Sequence, residues 1–319
     1  MHRSTSEVGP KLQPRPFLDA LVQRARSLGG GTRVALVHPC DVLAMEAAFA
    51  IAQAGVATPV LVGPSGPILA AADLAGVDAR AFEHIEVDGA MQSAWHAAKL
   101  ARDGAVGVLM KGALHTDELM SMVVHRDAEL RGATRMSHVS LFDLPRYPKL
   151  LSLTDCGVNI APDLHVKRDI VTNAVRLLQA LGVARPKVGI VAAVETVNPA
   201  IRATLDAAAL VQMAIDGAWP GAIVEGPLGL DNAISSEAAR IKKIESRVCG
   251  DADLLVVPDL NSGNALYKAF GYIGGGDCAS LVVGARVPVA LTSRADSIGA
   301  RVASAAAAVL SGGAVNAAR

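Results

Sequence analysis

The sequence of 319 residues is poor in aromatic side chains, which make up 3% of it, and carries no net charge, because 30 basic residues balance 30 acidic ones. Yet 51% of the residues are hydrophobic. Alanine supplies much of that share, which favours close helix packing over large side chains. The balanced charge excludes a long-range field that would draw the chain to nucleic acid or to an anionic membrane. Any anionic ligand must be bound by local groups.

Cysteine is scarce too. The four cysteines, at positions 40, 156, 249 and 278, form neither a CxxC pair nor a zinc-binding pattern with nearby histidines. No apolar run approaches the roughly 20 residues that span a bilayer. Residues 1–30 lack the apolar core of a signal peptide. We therefore expect a cytoplasmic protein with reduced thiols.

A nucleotide-binding glycine motif is also missing. The glycines at 29–31 precede the first apolar run, whereas those of a dinucleotide-binding loop follow a strand and open a helix. The glycine-rich stretch 271–276 runs towards a strand. Neither stretch has GxGxxG or Walker A spacing, so we interpret both as turns.

Short apolar runs alternate with longer helical stretches along the chain. They predict nine strands, at 34–37, 59–62, 106–110, 150–154, 188–193, 222–224, 254–257, 281–283 and 287–291. Strands separated by helices imply crossover connections, and hence parallel sheets covered on both faces. The predicted fold class is α/β with mainly parallel sheets, and the length indicates two domains.

Two helix starts can be placed. Asp41 predicts the cap of a helix that runs to Gly55, and Asn198 predicts a cap before Pro199 at the first helical position. Domain boundaries are less visible, because no long linker occurs. The predicted seams are at 154–157 and 288–294. They give a first domain of residues 1–156 with 290–319, and a second of 157–289.

Polar side chains follow several of the predicted strands, where α/β proteins commonly bind ligands. After 106–110 come Lys111, His115 and Thr116, which suit an oxyanion; an ordinary solvated loop is the alternative. Arg131 and Arg135 are spaced to share a helix face, although the glycine between them favours a loop.

The stretch 258–268 also follows a strand. In it Asn261 is predicted to cap a helix that presents Asn264, Tyr267 and Lys268. The last apolar run breaks into hydroxyls, a guanidinium and a carboxylate in PVALTSRADS, residues 288–297. This stretch would lie where the two domains meet.

At these segments the chain resembles the phosphate acetyltransferase and phosphate butyryltransferase family, and its butyryl branch more closely. The matching stretches are LMKGALHT, SHVSLFDLPRY, TDCGVNIAPDL, AAVETVNPA, EGPLGLDNAIS, GDADLLVVPDLNSGNALYK and PVALTSRADS. They extend in order from about residue 105 to 297, and VALVHPCD to PVLVGP before them also fits.

The resemblance implies reversible acyl transfer between inorganic phosphate and coenzyme A, with acyl phosphate as the other substrate. It implies no metal and no permanently bound cofactor. It further implies two α/β/α domains of isocitrate or isopropylmalate dehydrogenase-like architecture, a cleft between them, and a homodimer.

Site residues follow at the matching positions. Arg294 would bind phosphate oxygens with its fork of donors, and Ser293 would donate to the carbonyl or phosphate oxygen. Asp296 is the first candidate for the base that deprotonates the coenzyme A thiol, with Asp155 and His115 as weaker ones. The substrate-binding residues that the resemblance implies are Lys111, His115, Thr116, Arg135, Asn264, Tyr267 and Lys268.

The chain departs from the acetyltransferases that it resembles at the base. They carry the proposed aspartate seven residues after the serine, where this chain has Ala300; Asp296, three residues after Ser293, belongs to the butyryl-type pattern. If the role does not transfer to it, another group or phosphate itself accepts the proton. The cysteines are interpreted as packed apolar side chains, and Ser293 lacks a GxSxG elbow. Direct attack by the thiol is therefore favoured over an acyl-enzyme.

Two other functions are weighed against this one. A metal- and NADP-dependent decarboxylating hydroxy-acid dehydrogenase shares the architecture, but it needs clustered aspartates for its cation. Asp251 and Asp253 lie close in sequence and Asp231 could join them, but the first two precede a strand, where a ligand cleft is not expected. A binding module without turnover is the other alternative.

Overall fold

The computed structural model describes residues 14–293 and 296–317, with side chains through residue 312. The described residues form eleven strands in a single sheet of order β3-β2-β1-β4-β11-β10-β5-β6-β9-β7-β8. The strands are β1 Arg33–Val37, β2 Thr58–Gly63, β3 Glu83–Glu86, β4 Val108–Lys111, β5 Ser137–Asp143, β6 Leu151–Thr154, β7 Lys187–Val191, β8 Ile223–Leu228, β9 Leu254–Val256, β10 Asp277–Val283 and β11 Val289–Ala290.

The α-helices of the described residues lie on both faces of this sheet. They are α1 Pro16–Ser27, α2 Val42–Gln53, α3 Ser65–Ala75, α4 Ala90–Arg102, α5 Thr116–Val123, α6 Leu164–Ala180, α7 Arg202–Ile215, α8 Leu230–Ile234, α9 Ser236–Ile241, α10 Leu260–Lys268 and α11 Ile298–Ala317. Short 3-10 turns occur at Ala79–Ala81 and Arg126–Ala128, and a π-helical turn at Ala269–Ile273. None of the described helices is both long and apolar enough to cross a membrane.

The sheet is mainly parallel, which confirms the predicted α/β class. Its centre is antiparallel, however, because β5 and β11 both pair with β10 in that sense and β5 pairs with β6 likewise. As a result the two halves of the sheet run in opposite directions. The carboxyl ends of β1, β2, β4 and β11 lie at one edge, and those of β6, β7, β8 and β9 at the other.

All nine predicted strands occur, and two more are present. β3, with sequence EHIE, is an exposed edge strand, and charged side chains are typical of edges. β5, with sequence SHVSLFD, lies fully buried at the centre. Polar residues are interspersed along this strand, so its sequence contains no apolar run that would predict it.

The two predicted helix starts differ in outcome. The Asp41 cap is confirmed, since its Oδ1 accepts the N–H of Ala44 at 2.7 Å and the helix stops before Gly55 at φ 65°. The Asn198 cap is wrong: α7 begins at Arg202. Asn198 Oδ1 instead accepts the N–H of Ala200. Its side chain therefore stabilises a turn before the helix and does not cap the helix itself.

The apolar core differs between the two faces of the sheet. On one face it is continuous from β2 to β8, under α1, α2, α3, α6, α7 and α11. On the other face it consists of two separate clusters, one under α4 and α5 and one under α8 and α10. The hydrogen-bonded sheet itself runs unbroken from β5 through β6 to β9, so the division into domains at 156/157 and 289/290 stays a prediction.

Candidate active site

Polar side chains separate the two apolar clusters on the divided face. His138 and Ser140 of β5 lie beside Ser280 of β10, and all three are buried. On this face of β10, Cys278 belongs to the apolar cluster under α10 and Val282 to the cluster under α5. Ser280 lies between them. Buried polar groups need hydrogen-bonding partners, so their place between two cores marks a candidate site.

The loop that follows β11 reaches the edge of this polar region. In it the main-chain N–H of Ser293 donates to Asp296 Oδ2 at 2.6 Å, and Ser293 is exposed. Because β11 is parallel to β4, the loop leaves the sheet at the same edge as Lys111. The predicted catalytic residue Arg294, which lies between Ser293 and Asp296 in the sequence, is outside the described residues.

Tyr267 connects this loop to the buried region. Its hydroxyl lies 3.4 Å from Asp296 Oδ1 and 3.4 Å from Cys278 Sγ. Burial, with the nearby Cys278 and Asp296, raises the pKa of the phenol, so it stays protonated. The contact places the Tyr267 hydroxyl beside the loop that carries Ser293; its predicted role in substrate binding stays a prediction.

Asp296 is a carboxylate in a partly dehydrated place. Burial raises its pKa above the ordinary value, although the Ser293 N–H, the Arg301 charge and the Tyr267 hydroxyl act in the opposite direction. A raised pKa makes a carboxylate a better proton acceptor. Ala300, the position at which the acetyltransferases that the sequence resembles carry an aspartate, is fully buried on α11. Of the two positions, only Asp296 offers a carboxylate.

A chain of buried contacts continues from Tyr267 across the sheet. Ser280 Oγ lies 3.9 Å from Cys278 Sγ and 2.9 Å from Ser140 Oγ. Ser140 Oγ lies 3.6 Å from Cys156 Sγ, which is 3.2 Å from His138 Nδ1. Burial raises the pKa of the Cys278 thiol to about 12 and that of Cys156 further, and it lowers the pKa of His138. The thiols therefore stay protonated, as packed side chains rather than nucleophiles.

Asp155 and Arg135 are joined at the far end of this chain. Asp155 accepts the main-chain N–H groups of His138, Gly157, Val158 and Asn159, and also the Asn159 amide at 2.6 Å. Asn159 Oδ1 in turn accepts Arg135 Nε at 2.8 Å. Asp155 is thus occupied in shaping its loop, which makes it a weak candidate for the base. Arg131 and Arg135 lie in a loop before β5 and not on a helix.

Lys111, His115 and Thr116 lie at the end of β4. The buried Lys111 ammonium donates to the carbonyls of Gly112 at 3.3 Å and Leu114 at 3.1 Å. His115 is exposed and precedes α5, and its N–H donates to Glu118 Oε2 at 2.7 Å. Thr116 is the first residue of α5. The segment brings a cation and a helix N-terminus to the edge that Ser293 also reaches.

Helix α10 presents Asn264 and Lys268, both exposed. The predicted Asn261 cap is wrong, because Asn261 lies inside α10 and Asp259 is the cap, accepting the Ser262 N–H at 2.9 Å. An aspartate two residues earlier competes successfully for the same role. The helix packs closely on the Asp155 loop at Gly263, where a Cβ would lie 2.3 Å from the Asp155 carbonyl oxygen.

Gly263→Ala is therefore expected to push α10 away from the Asp155 loop and Tyr267 away from Asp296. Overpacking of this kind costs about 1 to 3 kcal/mol, so Tm and kcat should both fall. Gly66→Ala in α3 is the matched control, because a Cβ there meets nothing within 4 Å; its Tm should hold or rise. Equal behaviour of the two variants in thermal melts and rate assays would contradict the close packing of α10.

His38 and Arg301 were not among the site residues predicted from the sequence. His38 follows β1 in a left-handed conformation, φ 54°, and the adjoining Gly112 has no room for a Cβ, which would lie 2.7 Å from the His38 carbonyl oxygen. A histidine with positive φ at a strand end is uncommon and favours functional sites, but no sequence pattern reports φ. Arg301 lies in an alanine-rich helix, and that sequence gives no signal that the arginine is functional.

The carboxylates considered for a dehydrogenase metal site are paired with lysines. Asp251 bonds Lys149 and Lys187, and Asp253 bonds Lys149 at 2.6 Å. Asp231 pairs with Lys242 at 3.0 Å in a different place. Over residues 14–293 and 296–317, no group of three or more His, Cys, Asp or Glu side chains is arranged to hold a metal ion.

Comparison with known proteins decides between the two enzyme classes. Residues 90–309 match the family model described as phosphate acetyl/butaryl transferase. This chain belongs to that family. The phosphate acetyltransferase of Rhizobium meliloti is 45% identical over 298 residues, which are 93% of this chain and 94% of the relative. A branched-chain phosphotransacylase structure from Enterococcus faecalis V583 aligns with a TM-score of 0.79 at 28% identity, over 88% of this chain and 99% of that one.

Membership of the phosphate acyltransferase family confirms the function predicted from the sequence, which is reversible acyl transfer. The dehydrogenase fold is nevertheless related. A 4-hydroxythreonine-4-phosphate dehydrogenase from Klebsiella pneumoniae aligns with a TM-score of 0.53 at 13% identity, over 88% of this chain and 99% of that one. At that identity the likeness concerns the fold alone, so the dehydrogenase function is not favoured.

Proposed function

We propose that this acyltransferase moves an acyl group between acyl phosphate and coenzyme A by direct attack of the thiol, in a complex that holds both substrates. The observation that carries this proposal is the loop after β11. There a partly dehydrated carboxylate, Asp296, is tied to Ser293 at 2.6 Å and to Tyr267 at 3.4 Å. Arg294 lies between them in sequence, as a guanidinium for the phosphate.

The chemistry assigns one role to each group. The Asp296 carboxylate accepts the thiol proton, and the sulfur forms a bond to the carbonyl carbon of the acyl phosphate. The bond between that carbon and the bridging oxygen breaks, and phosphate leaves with the electron pair. Ser293 donates to the oxygen that gains charge, and Arg294 binds the departing phosphate.

Lys111, His115, Thr116 and Arg135 are proposed to line the acyl phosphate pocket on one side. Asn264, Tyr267 and Lys268 of α10 are proposed to face it from the other. Support comes from the position of Lys111 at the edge where the Ser293 loop leaves the sheet, and from the Tyr267 contact with Asp296. We also propose that the enzyme works as a homodimer in the cytoplasm, without metal or a permanently bound cofactor.

Direct attack predicts that no acyl-enzyme forms. Burial raises the pKa values of the Cys156 and Cys278 thiols, and Ser293 lacks the GxSxG elbow of a serine nucleophile. Labelled inorganic phosphate should therefore not exchange into acyl phosphate unless coenzyme A is present. Exchange in its absence would establish a covalent intermediate instead.

The enzyme is expected to consume the coenzyme A thiol when mixed with acetyl or butyryl phosphate in the presence of a metal chelator. Loss of thiol measured with a thiol reagent reports the rate, and omission of acyl phosphate is the control. Reduction of NADP with hydroxy acids, in place of thiol loss, would support the dehydrogenase.

Acyl chain length is the finer question, because the family name covers acetyl and butyryl groups and a related structure is named for branched chains. We propose a short acyl group, within the acetyl to butyryl range that the family name covers. One methylene contributes about 1 to 3 kcal/mol to discrimination. Comparison of kcat/KM for acetyl, propionyl and butyryl phosphate decides which chain is preferred, and activity with none of the three would reject a short acyl group.

A further inference from the structure

Arg301 is a buried cation that faces the catalytic loop from the first turn of α11. Its residue is 4% exposed. Nη2 donates to the main-chain carbonyl of Ser293 at 3.0 Å, and Nε lies 3.5 Å from the carbonyl oxygen of Asp296. A guanidinium remains charged at any physiological pH, and burying it is costly unless it is hydrogen-bonded.

The acceptors of Arg301 lie on both sides of the Arg294–Ala295 pair. A planar guanidinium that contacts two carbonyl groups fixes the distance between them, because its donors have a set geometry. These two carbonyls belong to the residues that carry the proposed hydroxyl donor and the proposed base of the site. No ion pair of Arg301 with a carboxylate occurs among the described residues, so its hydrogen bonds go to the loop backbone.

The loop is tethered independently at its other end. Ser297 Oγ donates to Asp277 Oδ2 at 3.2 Å and accepts the Ala300 N–H at 2.9 Å, which caps α11. Arg15 Nη1 also donates to Asp277 Oδ2, at 3.0 Å. Helix α11 is therefore expected to keep its N-terminal anchor when Arg301 is replaced, so the lost contacts are those to Ser293 and Asp296.

We infer that Arg301 is a positioning residue: its guanidinium clamps the Ser293 and Asp296 carbonyls and so orients the Ser293 hydroxyl and the Asp296 carboxylate for acyl transfer. This inference rests on the proposed function of the loop. Arg301 touches no reacting atom. It acts by reducing the number of conformations from which the loop must select the reactive one, and small misplacements of catalytic groups are costly.

The test compares Arg301→Ala and Arg301→Lys with the unchanged enzyme. We expect kcat to fall on the order of 10- to 100-fold in the alanine variant, with Tm changed much less than in a core variant. Millimolar guanidinium ion should restore much of that loss, because it can occupy the vacated space and bond both carbonyls, whereas methylammonium should not. The lysine variant keeps the charge but has one donor centre, so its kcat should stay well below that of the unchanged enzyme.

Two controls separate positioning from stability. Leu210→Ala removes a fully buried side chain of α7, far from the loop in the fold, and should lower Tm while leaving kcat of the folded enzyme unchanged. Arg240→Ala removes an exposed guanidinium paired with Glu237 and should not respond to guanidinium ion. The inference is overturned if Arg301→Ala keeps full kcat, or if its loss is not restored by guanidinium ion.

The outcomes also distinguish this inference from the proposed function. Full activity in Arg294→Ala and Asp296→Asn would show that the loop is not the active site. Loss of activity in those two, with full kcat in Arg301→Lys, would reject the clamp alone. If the alanine variant does not fold, the lysine variant carries the test, and a kcat equal to that of the unchanged enzyme overturns the inference.

Discussion

Arg294→Ala is expected to lower kcat/KM for acyl phosphate by about 100-fold or more, equivalent to roughly 3 kcal/mol of transition-state stabilisation. An acyl phosphate brings close to two negative charges on its phosphate, and charge grows on the bridging oxygen as the carbon–oxygen bond breaks. A guanidinium meets two of those oxygens at once with charge-assisted hydrogen bonds. Initial rates of thiol consumption, at varied acyl phosphate and saturating coenzyme A, measure the loss.

The geometry of the side chain, besides its charge, is tested by Arg294→Lys. An ammonium supplies the charge as a point and cannot form the planar fork, so an activity between those of the alanine variant and the unchanged enzyme is expected. Arg240→Ala, on the exposed side of α9, controls for removal of an arginine elsewhere. Unchanged kcat/KM in Arg294→Ala would mean that the loop after β11 does not bind phosphate, and the site assignment would be wrong.

The fold could be read from apolar runs wherever a strand is buried on both faces by helices. It could not be read at β5, since His138 and Ser140 interrupt the apolar pattern there. Those residues separate the two apolar clusters and lie beneath the candidate site. The strand was not predicted because its side chains form a polar region within the sheet, so its pattern is not that of a buried strand. Such departures from the expected pattern are common at functional sites.

The candidate site could be predicted at Lys111 and Ser293, because they follow the parallel strands β4 and β11, whose carboxyl ends lie at one edge of the sheet. Ser293 and Asp296 lie within one loop, and the family resemblance implied only that Tyr267 faces the acyl phosphate pocket, not that its hydroxyl contacts Asp296. Arg301 could not be predicted, because nothing in the alanine-rich helix indicates which of its faces meets the loop. That face depends on how α11 packs on the sheet, which is set by distant contacts such as Ser304 Oγ with the Ser280 N–H at 2.9 Å.

Asp296→Asn is expected to lower kcat for coenzyme A acylation by about 100-fold or more, the usual contribution of a positioned general base. The coenzyme A thiol, with a pKa of about 8.5 if it resembles cysteine, is only a few per cent ionised at neutral pH. An asparagine keeps the size of the side chain and can still accept the Ser293 N–H, so loop geometry is preserved while the proton acceptor is lost. The rate of Asp296→Asn should rise with pH up to the thiol pKa, because only the preformed thiolate reacts.

The raised pKa of Asp296 also predicts how kcat and Tm depend on pH, and in which direction. In the enzyme, kcat should fall as pH decreases through that raised pKa, because the base becomes protonated. For stability, a folded-state pKa above the unfolded value means that the ionised form is disfavoured by folding. Asp296→Asn should therefore raise Tm at neutral pH, and the difference should vanish below the ordinary aspartate pKa.

Asp163, a carboxylate whose pKa is shifted in the opposite direction, is the control for this measurement. Asp163 caps α6, and the Val166 N–H holds its pKa below the ordinary value. Its charge thus favours the folded state at neutral pH, and Asp163→Asn should not raise Tm there. If Asp296→Asn lowered Tm at neutral pH and kept its kcat, Asp296 would be a structural carboxylate. The thiol proton would then go to phosphate itself, since Asp155 is occupied by its own loop and Ala300 supplies no base.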